Sequence, residues 1–526
     1  MKHRILITGG VLLMLLMASC REESDKLMAY ANDDMLVFDK AENSYAEKFK
    51  VTWNGLNQYY ALWDYEEQQG LDWDAVYNEY LPQFEALDKR DEPVGDDELI
   101  EMMEKVLLPL HDGHLKVAWK NHATGNNVVF GASYKRIELR DDYKVSKGFV
   151  PSLDYYSDLS HGEMMTYPNG DAVMFEYSTK WKGLYEAFCH TPGKGMMWIE
   201  NEIRRIENLT IPTEMELEKH RNLVDLAGYL KSLARIGNDN AAINEFNDLA
   251  SEYIFLRVPG FDVIDKGFAD GGIDVKFAAF EDGILYLYLS DFMLTAYFQP
   301  QMLGLFDTNN SVTNKHIGNV VQTWRLWFEF IDWFRKQGGL KGVIIDVRSN
   351  GGGLTYDTQY VAGALLPSGG FQCGYQRYKR GTGRKDYSPL MPAYYFTLER
   401  EHEVIDKEPV VLLTNCLSAS MAEMTAQVVK QMENGTVIGK RTLGATCQLG
   451  NNSLHSLNYS GYIGVMGRTP VFGYVPMTAF FTMDKQVLEG YGITPDIEVD
   501  FDETLFRTTG RDTQLERALQ FIRNGN

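Results

Sequence analysis

The sequence predicts an α/β protein with a helical N-terminal subdomain and a middle α+β insertion. Three observations carry this reading. From Gly283 onward, short aliphatic runs of strand length (Ile284–Leu289, Gly342–Val347, Val410–Leu413) alternate with segments whose apolar residues recur at helical spacing. Before residue 120 the pattern is helical: Phe49, Trp53, Leu56, Tyr60 and Trp63, then Trp73, Val76, Tyr77, Tyr80 and Leu81, then Asp97 to Leu110. Between about 121 and 275 the signals are mixed. Strands are expected there at Ile137–Val145 and Ala172–Tyr177, and amphipathic helices at Met197–Ile206 and Glu214–Ile236.

At the start of the chain, Lys2 and Arg4 precede an apolar run, Ile5–Met17, which is short for a bilayer span and has the shape of a secretory signal. It ends Leu16-Met17-Ala18-Ser19-Cys20, which resembles the cleavage and lipidation box of bacterial lipoproteins. An ordinary signal peptide with a chance cysteine is the alternative. Lipid on Cys20 would anchor the chain to a membrane of the cell envelope without threading it through. The expected location is the outer membrane, facing periplasm or cell surface. The acidic Glu22-Glu23-Ser24-Asp25 is similar to the export signal of some surface lipoproteins. Removing residues 1–19 takes away Lys2 and Arg4 and moves the formal charge from −22 to −24. So acidic a chain argues against nucleic-acid binding, which needs clustered Lys and Arg. Beyond Cys20, the remaining cysteines (Cys189, Cys373, Cys416, Cys447) are scattered without a CxxC, so neither a zinc site nor a disulfide framework follows.

The segments that carry chemistry follow in order. Leu110 to Val117 reads LHDGHLKV; Asp-Gly marks a turn and the alternation after it a strand, so His114 stands where a helix hands over to a strand. Taken alone it is most simply a turn residue. A metal reading of His111 and His114 is weaker still, with no HExxH and no third ligand at a readable spacing. Gln322–Gln337 reads as an aromatic-rich, core-packed helix. Gly342–Val347 runs into Arg348-Ser349-Asn350-Gly351-Gly352-Gly353, which lacks the lysine and hydroxyl of a P-loop. Three glycines do let the backbone approach a substrate or an oxyanion closely. Val410 to Met432 then reads as strand, tight turn and a helix that begins at Ser420 and stops before Gly435. A serine there lies beside unpaired N–H groups and the positive end of the helix dipole. Those are the parts of a nucleophile and an oxyanion hole. On this stretch alone, Ser420-x-x-Glu423 is more simply a capping box, since caps are common and catalytic serines rare.

Together, IIDVRSNGGG, NCLSASMAE, TVIGKRTLG and EGYGITPDIEV over residues 276–500 resemble the core of the C-terminal processing (tail-specific) peptidases. The aromatic helices ending in LHDGHLKV are similar to the helical subdomain of that family's tricorn-like branch. The middle region lies outside the resemblance. The resemblance implies a crotonase/ClpP-like α/β core and a nucleophile at Ser420 rather than Ser418. It implies an oxyanion hole from the Met421 N–H and one from the Gly351–Gly352 turn. Where one branch keeps a general-base lysine, this chain reads Leu443-Gly444-Ala445-Thr446. A Ser–Lys dyad is therefore not expected, and Lys440 is a poor substitute. The tricorn-like branch implies His114 as base and Glu489 as the acid that orients it. The small hydroxyl residue that precedes the histidine in that branch is Gly113 here.

The resulting expectation is a lipid-anchored serine endopeptidase that cleaves unfolded or tail-like segments through an acyl-enzyme, with no metal, nucleotide or other cofactor. Its partners would be protein or peptide substrates, and the membrane through Cys20. Two alternatives are a non-catalytic peptide-binding protein on the same scaffold and a hydrolase of small esters or amides. The expected organisation is signal 1–19, tether 20–33, helical subdomain 34–120, middle insertion 121–275, catalytic core 276–510 and C-terminal helix 511–526.

Overall fold

The computed structural model describes residues 40–147, 275–299, 339–361, 371–395, 407–447 and 461–525, with brief interruptions, and isolated positions elsewhere. The expectations for the signal, Cys20 and the tether, for Ala172–Tyr177, and for most of Met197–Ile206, Glu214–Ile236 and Gln322–Gln337 concern residues outside these. Among the described residues, no helix is long and apolar enough to cross a membrane. The chain divides into two compact units, each drawn from three stretches. The first takes residues 1–143, 372–394 and 443–493; the second takes 144–371, 395–442 and 494–526. Contiguous boundaries at about 120 and 275 do not anticipate this interleaving.

The first unit begins with the helices Tyr45–Tyr59, Trp63–Gln68, Trp73–Leu87 and Asp96–Leu107. Their starts follow ordinary end chemistry. Ser44 and Asp72 accept from the N–H of Glu47 and Ala75, and Asp96, Asp97 and Glu98 complement the dipole of the last helix. The aromatic stripes seen in the sequence meet in one core: Phe49 stacks on Phe84 at 4.9 Å between ring centroids, and Phe84 meets Trp119 edge-on at 5.3 Å. Trp119 lies on the strand Lys116–Lys120, the one expected after His114. That strand pairs antiparallel with Val471–Tyr474 on one side and Asn127–Phe130 on the other. The loop carrying His114 is therefore anchored between a helix and the middle of a sheet.

One expectation is overturned here. Ile137–Val145 is not a strand; Ala132–Glu138 and Tyr143–Lys147 are helices. No alternating buried face exists to support a strand, since Leu139 is 82% exposed. Side-chain hydrogen bonds win instead: Arg136 donates to the carbonyls of Leu108 and Leu110 in the preceding segment, and Arg140 pairs with Asp142.

The second unit is built on a six-stranded sheet ordered Ile497–Glu498, Gly435–Gly439, Val410–Thr414, Gly342–Asp346, Ile284–Leu289, Val275–Ala279. The first five strands run parallel and the last antiparallel. The three central strands are buried at every position, as unbroken aliphatic runs require. The mixed α/β architecture is thus the one expected. On one face the helix Thr513–Asn524 packs Leu515, Ala518, Leu519 and Ile522 against Tyr286, Ile344, Val411 and Ile438. Parallel strands bring their C-terminal ends to one edge, the usual place for a site in such sheets. Asp346 lies beside Leu413, so the turns that follow them emerge side by side.

Candidate active site

The corner after Thr414 is held by asparagine. Asn415 Oδ1 accepts from the N–H of Ser349 (2.8 Å) and Leu417 (3.0 Å), and its Nδ2 donates to Ser349 Oγ at 3.0 Å. Asn350 returns the favour across the sheet, donating to the Leu289 carbonyl at 2.8 Å and accepting from the Gly352 N–H at 2.8 Å. The glycine turn and the serine corner are thus one hydrogen-bonded assembly.

Within it the two serines divide. Ser418 is fully buried; its hydroxyl donates to the Val347 carbonyl at 2.7 Å and accepts from the Asn415 N–H at 3.0 Å. Its chemistry is structural. Ser420 starts the helix Met421–Val429 with φ 55° and ψ −113°. The ordinary caps Ser44, Asp72 and Asp512 lie in the extended region, with φ between −100° and −139°. Positive φ in a residue with a Cβ is strained, of order 1–3 kcal/mol, and such strain collects at functional positions. The capping box read from the sequence is present: the Ser420 N–H donates to Glu423 Oε2 at 3.1 Å, and Glu423 Oε1 accepts from Thr442 Oγ1 at 2.6 Å. It holds the corner in this twisted form.

Gly352 fits against that corner. A Cβ at this position, which has φ +93°, would lie 2.4 Å from Ser420 Cβ and 2.9 Å from Met421 N. Only glycine leaves that space open. Its N–H is engaged by Asn350, whereas the N–H groups of Gly351 and Met421 have no acceptor among the described residues. Of the expected oxyanion donors, Met421 and Gly351 are free to act and Gly352 supplies room.

His114 and Glu489 belong to the first unit. The Nδ1 of His114 is buried without a partner. Burial, helped by the Lys116 charge, lowers its pKa to about 4, so the imidazole is neutral at physiological pH. Glu489 differs from expectation. Its Oε1 accepts from the Gly113 N–H at 2.9 Å, and its Oε2 accepts from Thr446 N (2.7 Å), Thr446 Oγ1 (2.9 Å) and Cys447 N (2.8 Å). Among the described hydrogen bonds none joins it to the His114 ring. It clamps the backbone next to the histidine rather than the imidazole.

The lysine position of the other branch explains itself. Ala445 is buried, and a Cβ on Gly113 would lie 2.5 Å from Ala445 Cβ. The loop that delivers His114 occupies the volume a lysine would need. Lys440 is paired elsewhere, 2.6 Å from Glu498 and 2.9 Å from Asp500. His111 Nδ1 lies 2.6 Å from Glu66 Oε2. Asn350, Asn415, Thr446 and Cys447 escaped the sequence reading. The asparagines flank the glycine turn and the serine corner, and that adjacency was their one signal.

A strained serine at a strand-to-helix corner, beside the unengaged N–H groups of Met421 and Gly351, is an arrangement suited to acyl transfer. Residues 285–499 match the model of peptidase family S41. The chain is 27% identical over 199 residues to the tricorn protease of Thermoplasma volcanium, covering 37% of this chain and 16% of that one. It is 27% identical over 161 residues to the carboxy-terminal-processing protease of Bartonella bacilliformis, covering 31% of each. The matched segment thus spans less than a third of either relative. Similar solved structures include mature CPAF complexed with lactacystin, with TM-score 0.46, 11% identity and 92% and 100% of the two chains covered. The tricorn protease crystal structure superposes with TM-score 0.26 at 20% identity, over 46% of this chain and 18% of that one.

Proposed function

We propose that the protein is a serine endopeptidase of the cell envelope, anchored by lipid on Cys20 and acting on unfolded or tail-like protein segments. The observation that carries the catalytic part is Ser420, strained at its corner beside the unengaged N–H groups of Met421 and Gly351. In this reading Ser420 Oγ attacks the scissile carbonyl while His114 takes its proton. The two N–H groups receive the oxyanion. Collapse of the tetrahedral intermediate expels the amine, which takes the proton from His114, and water then hydrolyses the acyl-enzyme by the reverse transfer. Glu489 serves by fixing the backbone at Gly113.

One observation favours the non-catalytic alternative: His114 Nδ1 has no acidic partner to stabilise an imidazolium. A fluorophosphonate probe separates the two. Labelling of the wild type, lost in Ser420→Ala and kept in Ser418→Ala, supports the peptidase. An unlabelled wild type supports the binding protein. Digestion of a denatured protein, set against turnover of small esters, then fixes the substrate class.

A further inference from the structure

The loop that carries His114 rests on two buried carboxyl groups, Asp112 and Glu489. Asp112 is 1% exposed and Glu489 0%. Asp112 Oδ1 accepts from the N–H of His114 at 2.7 Å and of Leu115 at 2.9 Å, while Glu489 Oε1 accepts from Gly113 at 2.9 Å. Three successive backbone N–H groups, centred on the histidine, are therefore fastened by two acids. The second oxygen of Asp112, Oδ2, is buried and has no hydrogen-bond partner among the described residues. Asp112 forms a buried cluster with Cys447 and Glu489, in which one ligand atom from each residue lies within 4.8 Å of the others.

The other charged groups nearby are committed elsewhere. Glu66 is held by Tyr60 Oη at 2.6 Å and by His111, and Arg136 donates to the Leu108 and Leu110 carbonyls. Among the described residues no cation pairs with Asp112. An unpaired carboxylate oxygen, buried beside a second carboxylate, is among the costliest placements a side chain can have. A proton removes that cost and leaves Oδ1 free to accept. A divalent cation would remove it too, with Asp112, Cys447 and Glu489 as ligands. Glu489 Oε2, however, already takes three donors, and burial raises the Cys447 thiol well above its ordinary range, so it stays protonated. The proton is the better occupant.

We propose that Asp112 is a positioning residue for His114, and that it works as the neutral acid of a buried pair sharing one proton with Glu489. Burial and the neighbouring Glu489 both push the Asp112 carboxyl above the usual carboxylate range, in keeping with this. Removing the shared proton at high pH would set two buried anions against each other and loosen the loop. The kinetic part of the idea rests on the peptidase reading; the protonation part does not.

Asp112→Asn mimics the neutral acid and keeps an acceptor for both N–H groups. Its kcat/KM should stay within about threefold of wild type, because the hydrogen bonds survive. The alkaline fall in log(kcat/KM) that the pair causes should vanish. Asp112→Ala should lose on the order of 10²-fold in kcat with little change in KM, the scale of a misplaced catalytic group. Infrared difference spectra should show the carbonyl stretch of a protonated carboxylic acid at pH 7 in the wild type and not in Asp112→Asn. An Asn variant as impaired as Ala, a missing acid band, or stoichiometric metal in protein purified without chelators would each overturn the proposal. If Asp112→Ala fails to fold, the Asn kinetics and the band decide. A wild type with the acid band but no turnover would refute the peptidase reading and leave the buried pair standing.

Discussion

At the residue scale, the site depends on groups held in states they would not choose alone. Ser420 at φ 55° is the first. Ser420→Ala should abolish probe labelling at a loss of about 1 kcal/mol or less, the value of an ordinary cap. Ser420→Gly should abolish labelling and yet raise the unfolding temperature above that of the Ala variant, because glycine relieves roughly 1–2 kcal/mol of left-handed strain. A Gly variant less stable than Ala would mean that the corner is not strained. His114 is the second. Its folded pKa, about 4, lies below the unfolded value of 6.5, so the unfolded chain binds the proton first. This histidine's contribution to stability is therefore complete above pH 6.5 and declines as the pH falls towards 4. For activity the sign is the same: the base is neutral above about pH 4, so log(kcat/KM) should stay flat through pH 6 to 7 and fall only near 4. An unperturbed imidazole would instead place that fall at about 6 to 7. An acid limb there would show that the imidazole is solvated or paired with an acid in the working enzyme.

At the element scale, two turns at neighbouring strand ends make the serine corner, and glycine decides how closely they approach. Gly352→Ala, at φ +93° with Ser420 Cβ 2.4 Å from the new methyl, should lose at least as much stability as other strained substitutions, roughly 1–3 kcal/mol. It should also cut labelling by Ser420 more than Gly351→Ala, whose Cβ meets nothing within 4 Å. Equal effects would remove Gly352 from the site. The elements themselves were legible. Unbroken aliphatic runs gave the strands Ile284–Leu289, Gly342–Asp346 and Val410–Thr414 almost to the residue, because burial on both faces leaves no other pattern. Ile137–Val145 forms no strand because its apolar residues carry no period strong enough to outweigh the side-chain hydrogen bonds of Arg136 and Arg140. Roles that depend on hydrogen-bond direction were illegible. Nothing in Glu489 or its neighbours announces that four donors converge on its carboxylate, and the donors Gly113, Thr446 and Cys447 are far from it in sequence.

At the scale of the whole molecule, the cysteines test the reading of the interior. Cys373, Cys416 and Cys447 are buried, and burial pushes the Cys373 thiol up to about 12. The native protein should therefore resist thiol reagents at these three positions until it is unfolded, and rapid modification of any of them would show an open core. Cys20 tests the anchor: a fatty-acid analogue should mark the wild type and not Cys20→Ala, and unlabelled protein recovered free in the periplasm would end that idea. One buried contact also bears on how the molecule is made. Arg348, immediately before the glycine turn, is fully buried between Asp346 (2.5 Å) and Asp512 (2.8 Å), the latter 164 residues further along the chain. Asp512 also caps the helix Thr513–Asn524 that covers the sheet. Without Asp512 and Gln514 the buried guanidinium keeps Asp346 but its Nη1 loses both acceptors, and a buried donor left unsatisfied costs about 1–3 kcal/mol, more for a charged group. On the ribosome, therefore, the turn beside Ser420 should not set until the helix Thr513–Asn524 has emerged, although 164 residues separate Arg348 from Asp512.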